Sequence, residues 1–212
     1  MKATITATAK YLPQKTLSNQ ELEKMVDTSN EWILSRTGIE NRHIVSDGEA
    51  TSDMCSQIAN QLLEKSGKSA EEIDLILVAT STPDFLVVST AALVQDKIGA
   101  KNAWGYDIVA ACTGFVYAME TGAKFIESGS YNNVIVIGAD TMSSIIDYTD
   151  RNTCVIFGDG GGGVLLEPTQ EETGIIDSIL HIDGSGHKYL TVPAGGSANP
   201  ASKETLDNSF SS

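Results

Sequence analysis

Positive charge is scarce in this 212-residue chain: 14 lysines and arginines stand against 28 aspartates and glutamates, giving a net charge of -14. Such a surface repels phosphate backbones and anionic lipid headgroups, so neither nucleic acid nor membrane is expected as a partner. Long apolar runs are also missing. No stretch approaches the ~20 residues that a bilayer span needs, and the opening residues do not read as a charged-then-apolar leader. Cysteine occurs at 55, 112 and 154 only, without metal-ligand spacing and in a number that cannot pair completely. A reduced, cytoplasmic setting is expected. Low-complexity segments and short repeats are absent too. What remains is globular in composition, 41% hydrophobic and 20% charged, and long enough to bury a core.

Strand and helix signals alternate along the chain. Lys2 to Ala9 alternates Thr with Ile or Ala, as a half-buried strand does. Ser18 and Glu21 form a capping box that opens a helix through Leu22, Met25 and Val26. A short helix is predicted over Glu31 to Ser35, closed by Gly38, and a longer one over Asp53 to Lys65, ending at Gly67. Ser69 to Glu72 is a second capping box. Leu75 to Ala79 is an unbroken apolar run typical of a strand covered on both faces, and Asn133 to Ala139 reads as the next buried strand. Ser89 to Ile98 reads as helix and Trp104 to Val109 as strand. Gly161 to Glu167 and Gly174 to Asp183 read as two further strands. The pattern predicts an α/β fold whose mostly parallel or mixed sheet carries helices on its faces. The tail after Leu190 is rich in Gly, Ser, Asn and Pro, and its last residues, Asn208 to Ser212, carry no stop signal; it reads as a loop cut short.

The segment from Tyr106 to Glu127 has the most chemical content. A short apolar strand leads into small residues around Cys112, and then Phe115, Met119, Gly122, Ala123 and Ile126 repeat at helical spacing. A thiol with an ordinary pKa near ~8.5 is drawn toward thiolate by the amides and dipole of a helix start. Ala110, Ala111, Thr113 and Gly114 are small enough to let a substrate carbonyl reach the sulfur, and the same amides can hold the resulting oxyanion. The competing reading is a core thiol, since free cysteine is among the most buried residue types. Cys55 and Cys154, within apolar patterns, read as core thiols.

Other candidates are weaker by themselves. Gly158 to Gly163 formally contains G-x-G-x-x-G, but strand-like Val164 to Glu167 follows where a dinucleotide site needs a helix. A backbone passing close to another backbone is the better reading, and Asp159 reads as a turn-former. Trp32 and Arg36 share a helix face. They fit either an adenine-and-phosphate clamp or an ordinary surface cation–π pair. His43, His181 and His187 are scattered and read as solvated or structural.

Four motifs in order carry a resemblance: DTSNEWILSRTGIENRHI at 27–44, DIVAACTGF at 107–115, TDRNT at 149–153 and IFGDGGGG at 156–163. Together they resemble β-ketoacyl-acyl-carrier-protein synthase III, of the thiolase-like condensing enzymes, from about Lys2 through the tail. The resemblance implies a thiolase-like layered fold, with 1–170 as the first half carrying the nucleophile and 171–212 as a truncated start of the second. It implies that Cys112 accepts an acyl group from acyl-coenzyme A as a thioester, which condenses with malonyl-acyl-carrier protein to a β-ketoacyl product. Thr28, Trp32, Arg36, Arg151 and Asn152 match positions that hold the adenine and phosphate of coenzyme A, although the family usually has glycine at the position of Asn152. The glycine run matches the family's turn beside the active-site cysteine. Coenzyme A enters as a thioester substrate, and no other cofactor is implied. A cytoplasmic homodimer is expected.

Two departures stand out. Val87 replaces an aromatic residue that often limits the acyl pocket across the dimer interface, which points to a longer or branched primer. The family's histidine and asparagine that assist decarboxylation lie beyond this stretch, and neither His181 nor His187 stands in their motif, so this polypeptide is not expected to condense substrates unaided. A thiolase or hydroxymethylglutaryl-coenzyme A synthase-like acyltransferase, or a non-catalytic structural half, are the alternatives.

Overall fold

The structure, a computed structural model, describes residues 1–207; Asn208 to Ser212 lie outside the described residues. Two compact units result, Met1–Ser178 and Ile179–Ser212.

The first unit is built on a five-stranded sheet. Its strands are β1 (Lys2–Tyr11), β4 (Leu75–Ala79), β5 (Trp104–Ile108), β6 (Val134–Thr141) and β7 (Asp159–Thr169), in the order β1-β7-β6-β4-β5. The pairings of β4 with β5 and with β6 are parallel, whereas β7 runs antiparallel to both β6 and β1. The sheet is therefore mixed, evenly divided between the two senses. A separate ribbon pairs β2 (Lys15–Ser18) with β3 (Asn41–Ile44).

Burial on both faces explains the unbroken apolar runs. Ile76 and Val78 of β4 pack with Ile135 and Ile137 of β6 under Met54, Ile58 and Leu62 of α3 (Thr51–Ser66) and Val94 of α4 (Thr90–Ile98). The alternate residues, Leu75, Leu77, Val134 and Val136, pack against Ala118, Ala123 and Ile126 of α5 (Gly114–Glu127). Each fully buried Leu or Ile contributes roughly 1.5–3 kcal/mol, so a strand with no polar face is what this layering requires.

The glycine run at the start of β7 allows the layers to close. A Cβ at Gly161 would lie 2.7 Å from Ala139 Cβ and 2.9 Å from Ile58 Cδ1, and one at Gly163 would lie 2.8 Å from Ile58 Cγ2 and 2.9 Å from the Val136 carbonyl. The close-approach reading is correct, but the neighbours are β6 and α3. Phe115 of α5 approaches the glycine of β6 instead, with its Cδ2 3.1 Å from a Cβ placed at Gly138.

Helix ends follow the capping signals with small shifts. α2 spans Asn30–Thr37, capped by Ser29 and ended by Gly38 at φ 70. Gly67 and Gly99 close α3 and α4 in the same left-handed way. The Ser18 capping box forms, but α1 covers only Asn19–Leu22. The Met25 and Val26 amides both donate to the Leu22 carbonyl, and Met25 is half exposed, so tight turns replace further helix. The strand expected over Gly174 to Asp183 does not form. In the first unit its Ile175 amide donates to Ala3 O at 2.8 Å. Beyond that bond the stretch has no ladder, and Ile176, Ile179 and Ile182 are exposed. Alternation without a partner strand does not make a sheet.

The second unit holds a 3₁₀ turn over Gly184–Tyr189, a bridge between Gly196 and Asn199, and a short helix over Lys203–Asp207.

Candidate active site

Parallel strands β4, β5 and β6 all end at the same edge of the sheet, and each hands the chain to a loop there. Such an edge is where open α/β sheets present ligands and reacting groups.

β5 leads to Cys112. After Ile108 the chain reaches Ala111, the sole non-glycine residue with positive φ among the described residues, at 45°. A left-handed residue costs about 1–2 kcal/mol. The turn is pinned by Thr113, whose amide and hydroxyl both donate to the Ala110 carbonyl, at 3.2 and 2.8 Å. Cys112 sits in the 3₁₀ turn Ala111–Thr113, and α5 begins only at Gly114. The thiol therefore precedes the α-helix rather than lying in its first turn. Cys112 is exposed, unlike Cys55 and Cys154, which decides against the core-thiol reading. Gly114 lets the turn lie close to the sheet, since a Cβ there would be 3.2 Å from Ala79 Cβ.

β4 leads to the loop that carries Val87. Asp140 at the end of β6 fixes its start, accepting from the Ser81 amide at 2.7 Å and from the Thr82 amide and hydroxyl at 3.2 and 3.0 Å. Asp84 accepts from the Ser52 amide and hydroxyl at the head of α3, at 2.8 and 2.6 Å. Asp107 accepts from the amides of Thr90 and Ala91, at 2.6 and 2.8 Å, which anchors α4 beside β5. Between these anchors Phe85, Leu86, Val87 and Val88 are exposed, Val87 by 95%.

β6 leads to the turns that carry Arg151 and Asn152, and these meet α2. The guanidinium carbons of Arg36 and Arg151 lie 4.4 and 4.6 Å from the centroid of the Trp32 ring. The Thr28 hydroxyl is buried with no hydrogen-bond partner among the described residues, an unsatisfied group of the kind that a ligand oxygen relieves. Asn152 is exposed, its amide donating to Asp150 Oδ1 at 3.0 Å. Arg36 and Arg151 thus gather on the Trp32 indole, with Thr28 just ahead of α2 in sequence, while Cys112 and Val87 sit on separate neighbouring loops.

Asp159, read as a turn-former, is buried and fastens two other segments to the start of β7. It accepts from the Val45 amide, and from the Ser143 amide and hydroxyl, at 2.8, 2.8 and 2.6 Å. Among the described residues no group of three or more His, Cys, Asp or Glu could hold a metal ion, and no helix is long and apolar enough to cross a membrane.

The sequence and the fold have known counterparts. The sequence pattern of the 3-oxoacyl-[acyl-carrier-protein] synthase III family matches residues 106–184, a stretch containing Cys112, Arg151 and the glycine run. A β-ketoacyl-[acyl-carrier-protein] synthase III of Chlorobaculum tepidum is 60% identical over 210 residues, covering 98% of this chain and 64% of that protein. Across nearly its whole length the chain is similar to this synthase. Synthase III structures from Thermus thermophilus and Pseudomonas aeruginosa superpose with TM-scores of 0.85 and 0.87, at 39% and 36% identity. They cover 89% and 94% of this chain and 58% and 62% of theirs. The chain thus spans under two thirds of the length of these synthases. The family match leaves out Thr28, Trp32 and Arg36, which the long alignment with the Chlorobaculum synthase includes.

Sequence reasoning missed Arg42 and Asn19, both buried and polar. Arg42 lies within the 27–44 motif and Asn19 within the Ser18 capping box, but neither pattern gives it a role, and only the fold reveals what they join.

Proposed function

We propose that these residues carry the acyl-accepting half of a priming condensation in fatty-acid synthesis. The Cys112 sulfur attacks the thioester carbonyl of an acyl-coenzyme A, coenzyme A leaves as its thiol, and the acyl group remains as a Cys112 thioester. Malonyl-acyl-carrier protein then loses carbon dioxide, and its carbanion takes the acyl group to give the β-ketoacyl product and the free thiol. Trp32 stacks on the adenine, Arg36 and Arg151 hold phosphate, and Thr28 and Asn152 complete that end of the site. Val87 borders the acyl pocket in a cytoplasmic homodimer, and no cofactor beyond the thioester substrate enters this reading. Acylation of Cys112 is the step that these residues are expected to perform.

The observation that carries the proposal is an exposed thiol on a strained turn, at the sheet edge that also bears the Trp32 cluster. The test is incubation with acetyl-coenzyme A and longer acyl-coenzyme A, followed by mass spectrometry of the intact chain. One acyl group per chain, absent from Cys112→Ser, is expected. An unmodified wild-type chain under conditions where coenzyme A binds would overturn it.

A further inference from the structure

Arg42 is a buried cation. It lies on β3 and is 3% exposed, and among the described residues no carboxylate forms an ion pair with it. Its guanidinium is instead spent on neutral acceptors. Nε donates to the Val155 carbonyl at 2.9 Å and Nη2 donates to the same oxygen, while Nη1 donates to Asn19 Oδ1 at 2.7 Å. Burying a charge on neutral partners is costly, and burial lowers the pKa of this group below the ordinary arginine value. A core position needing only packing would take an apolar residue at less cost. What Arg42 uniquely supplies is a rigid fork that spans two acceptors on different segments.

The two segments are the two sides of the Trp32 cluster. Val155 follows Arg151 in a self-bonded run of turns, in which the Thr153 and Cys154 amides donate to Asp150 O and the Thr153 hydroxyl donates to Asp150 Oδ2. Fixing Val155 O therefore fixes the turn that bears Arg151. On the other side, Asn19 Nδ2 donates to Asn30 Oδ1 at 3.0 Å and to the Ile39 carbonyl at 2.9 Å, which brackets α2 at both ends. One unbroken relay then runs from Val155 through Arg42 and Asn19 to Asn30, two residues before Trp32. Leu22, Ile33, Cys154 and Val155 pack beside it.

We propose that Arg42 is a positioning residue that sets the spacing between Arg151 and Trp32, and hence the affinity of this cluster for the adenosine-phosphate end of coenzyme A. The inference rests on the coenzyme A reading of Trp32 given above. The probes are coenzyme A and pantetheine, which lacks the adenosine and phosphate portion, bound to the full chain and followed by calorimetry. Arg42→Lys keeps the charge but loses the fork. Asn30→Ala cuts the relay at its half-buried end, so it carries the test if the arginine variant does not fold.

In either variant the Kd for coenzyme A is expected to rise about tenfold, since a misplacement of about 1 Å is enough for a loss of that order. The Kd for pantetheine should change less than twofold. Equal losses for both ligands, or no loss for either in a folded variant, would overturn the positioning role. Trp32→Ala separates this from failure of the underlying reading. If the wild-type chain does not prefer coenzyme A over pantetheine, or keeps its preference without Trp32, the coenzyme A reading falls and the Arg42 role falls with it. If Trp32→Ala abolishes the preference while both relay variants retain it, Arg42 alone is misassigned.

Discussion

Arg151 places its guanidinium carbon 4.6 Å from the centroid of the Trp32 ring, although Trp32 belongs to α2 and Arg151 to the turns that follow β6. Its sole ion pair among the described residues is with Asp27 Oδ2, at 3.8 Å. Both side chains are substantially exposed, so that pair contributes little and leaves the cation available to a phosphate. Arg151→Ala is expected to weaken coenzyme A binding about tenfold, with a shallower salt dependence than wild type, because one charge-assisted contact is removed. Calorimetry at two ionic strengths measures both effects. An unchanged Kd at low salt would remove Arg151 from the site.

The three thiols differ in accessibility, and that difference is measurable. Cys55 is fully buried, and burial first, then the charges of Asp107, Asp84 and Asp140, push its pKa far above the ordinary thiol range. Cys154 is buried as well, with its pKa raised mainly by burial and then by Asp150. Only thiolate reacts with iodoacetamide. Native protein near neutral pH should take up one equivalent, on Cys112, blocked by acyl-coenzyme A. Peptide mapping that finds Cys55 or Cys154 labelled at a comparable rate would contradict the burial pattern.

The layers of the fold are legible in the sequence because burial on both sides leaves a plain mark: Leu75 to Ala79 and Val134 to Ala139 have no polar residue to turn outward. The glycine run is legible for a similar reason, since Gly161 and Gly163 occupy places where a methyl group has no room. Helix stops at Gly38, Gly67 and Gly99 follow from their left-handed backbone. Gly174 to Asp183 fails because alternation records a preference and not a partner. The antiparallel insertion of β7 between β1 and β6 is equally silent, as pairing sense depends on connections and not on side-chain pattern. At the site, Trp32 and Arg36 are readable from helical spacing, whereas spacing says nothing of Arg151, which the family resemblance joins to them and the fold brings onto the ring. Arg42 is invisible because a buried arginine on a short strand looks like a surface one until its acceptors are known.

Val87 is 95% exposed, between anchors at Asp84 and Asp107. Substitution there disturbs no packed neighbour, so stability should change by less than about 0.5 kcal/mol. Val87→Phe enlarges the side chain that borders the proposed acyl pocket. The expected result is a shift toward acetyl-coenzyme A and away from longer or branched acyl-coenzyme A, read from competitive acylation of Cys112. The same primer profile in both proteins would detach Val87 from primer choice.

Gly161→Ala tests the closure of the layers. The added methyl would meet Ala139 Cβ at 2.7 Å, Ile58 Cδ1 at 2.9 Å and the Gly138 carbonyl at 3.0 Å. Two of these belong to β6, whose central position gives it no freedom to retreat. Overpacking of this kind costs typically ~1–3 kcal/mol, and denaturant unfolding should show a loss in that range. Gly162→Ala is the control, because the nearest atom to its Cβ is the Ala9 carbonyl at 3.6 Å. Equal stability of the two variants would mean that β7 does not lie as tightly on β6 as described.

Asp53 predicts a pH dependence with a definite sign. Burial alone would raise its pKa, but the hydrogen bond from Lys97, the bond from the Ala50 amide and the charge of Lys97 outweigh burial and leave it lowered. Lys97 Nζ lies 2.6 Å from Asp53 Oδ1, and the Ala50 amide lies 2.9 Å from Oδ2, capping α3. With the folded value below the unfolded one, ~3.9 for a free aspartate, the unfolded chain binds the proton more readily. The contribution is therefore fully present above about pH 4 and is lost as pH falls through the folded value. The carboxylate side chain is 42% exposed, so solvent screening holds the effect below about 1 kcal/mol. Asp53→Asn should be less stable than wild type at pH 7, and the gap should close as pH drops toward 3. A gap that stays constant or widens on acidification, in parallel urea titrations, would show that Asp53 acts through something other than its charge.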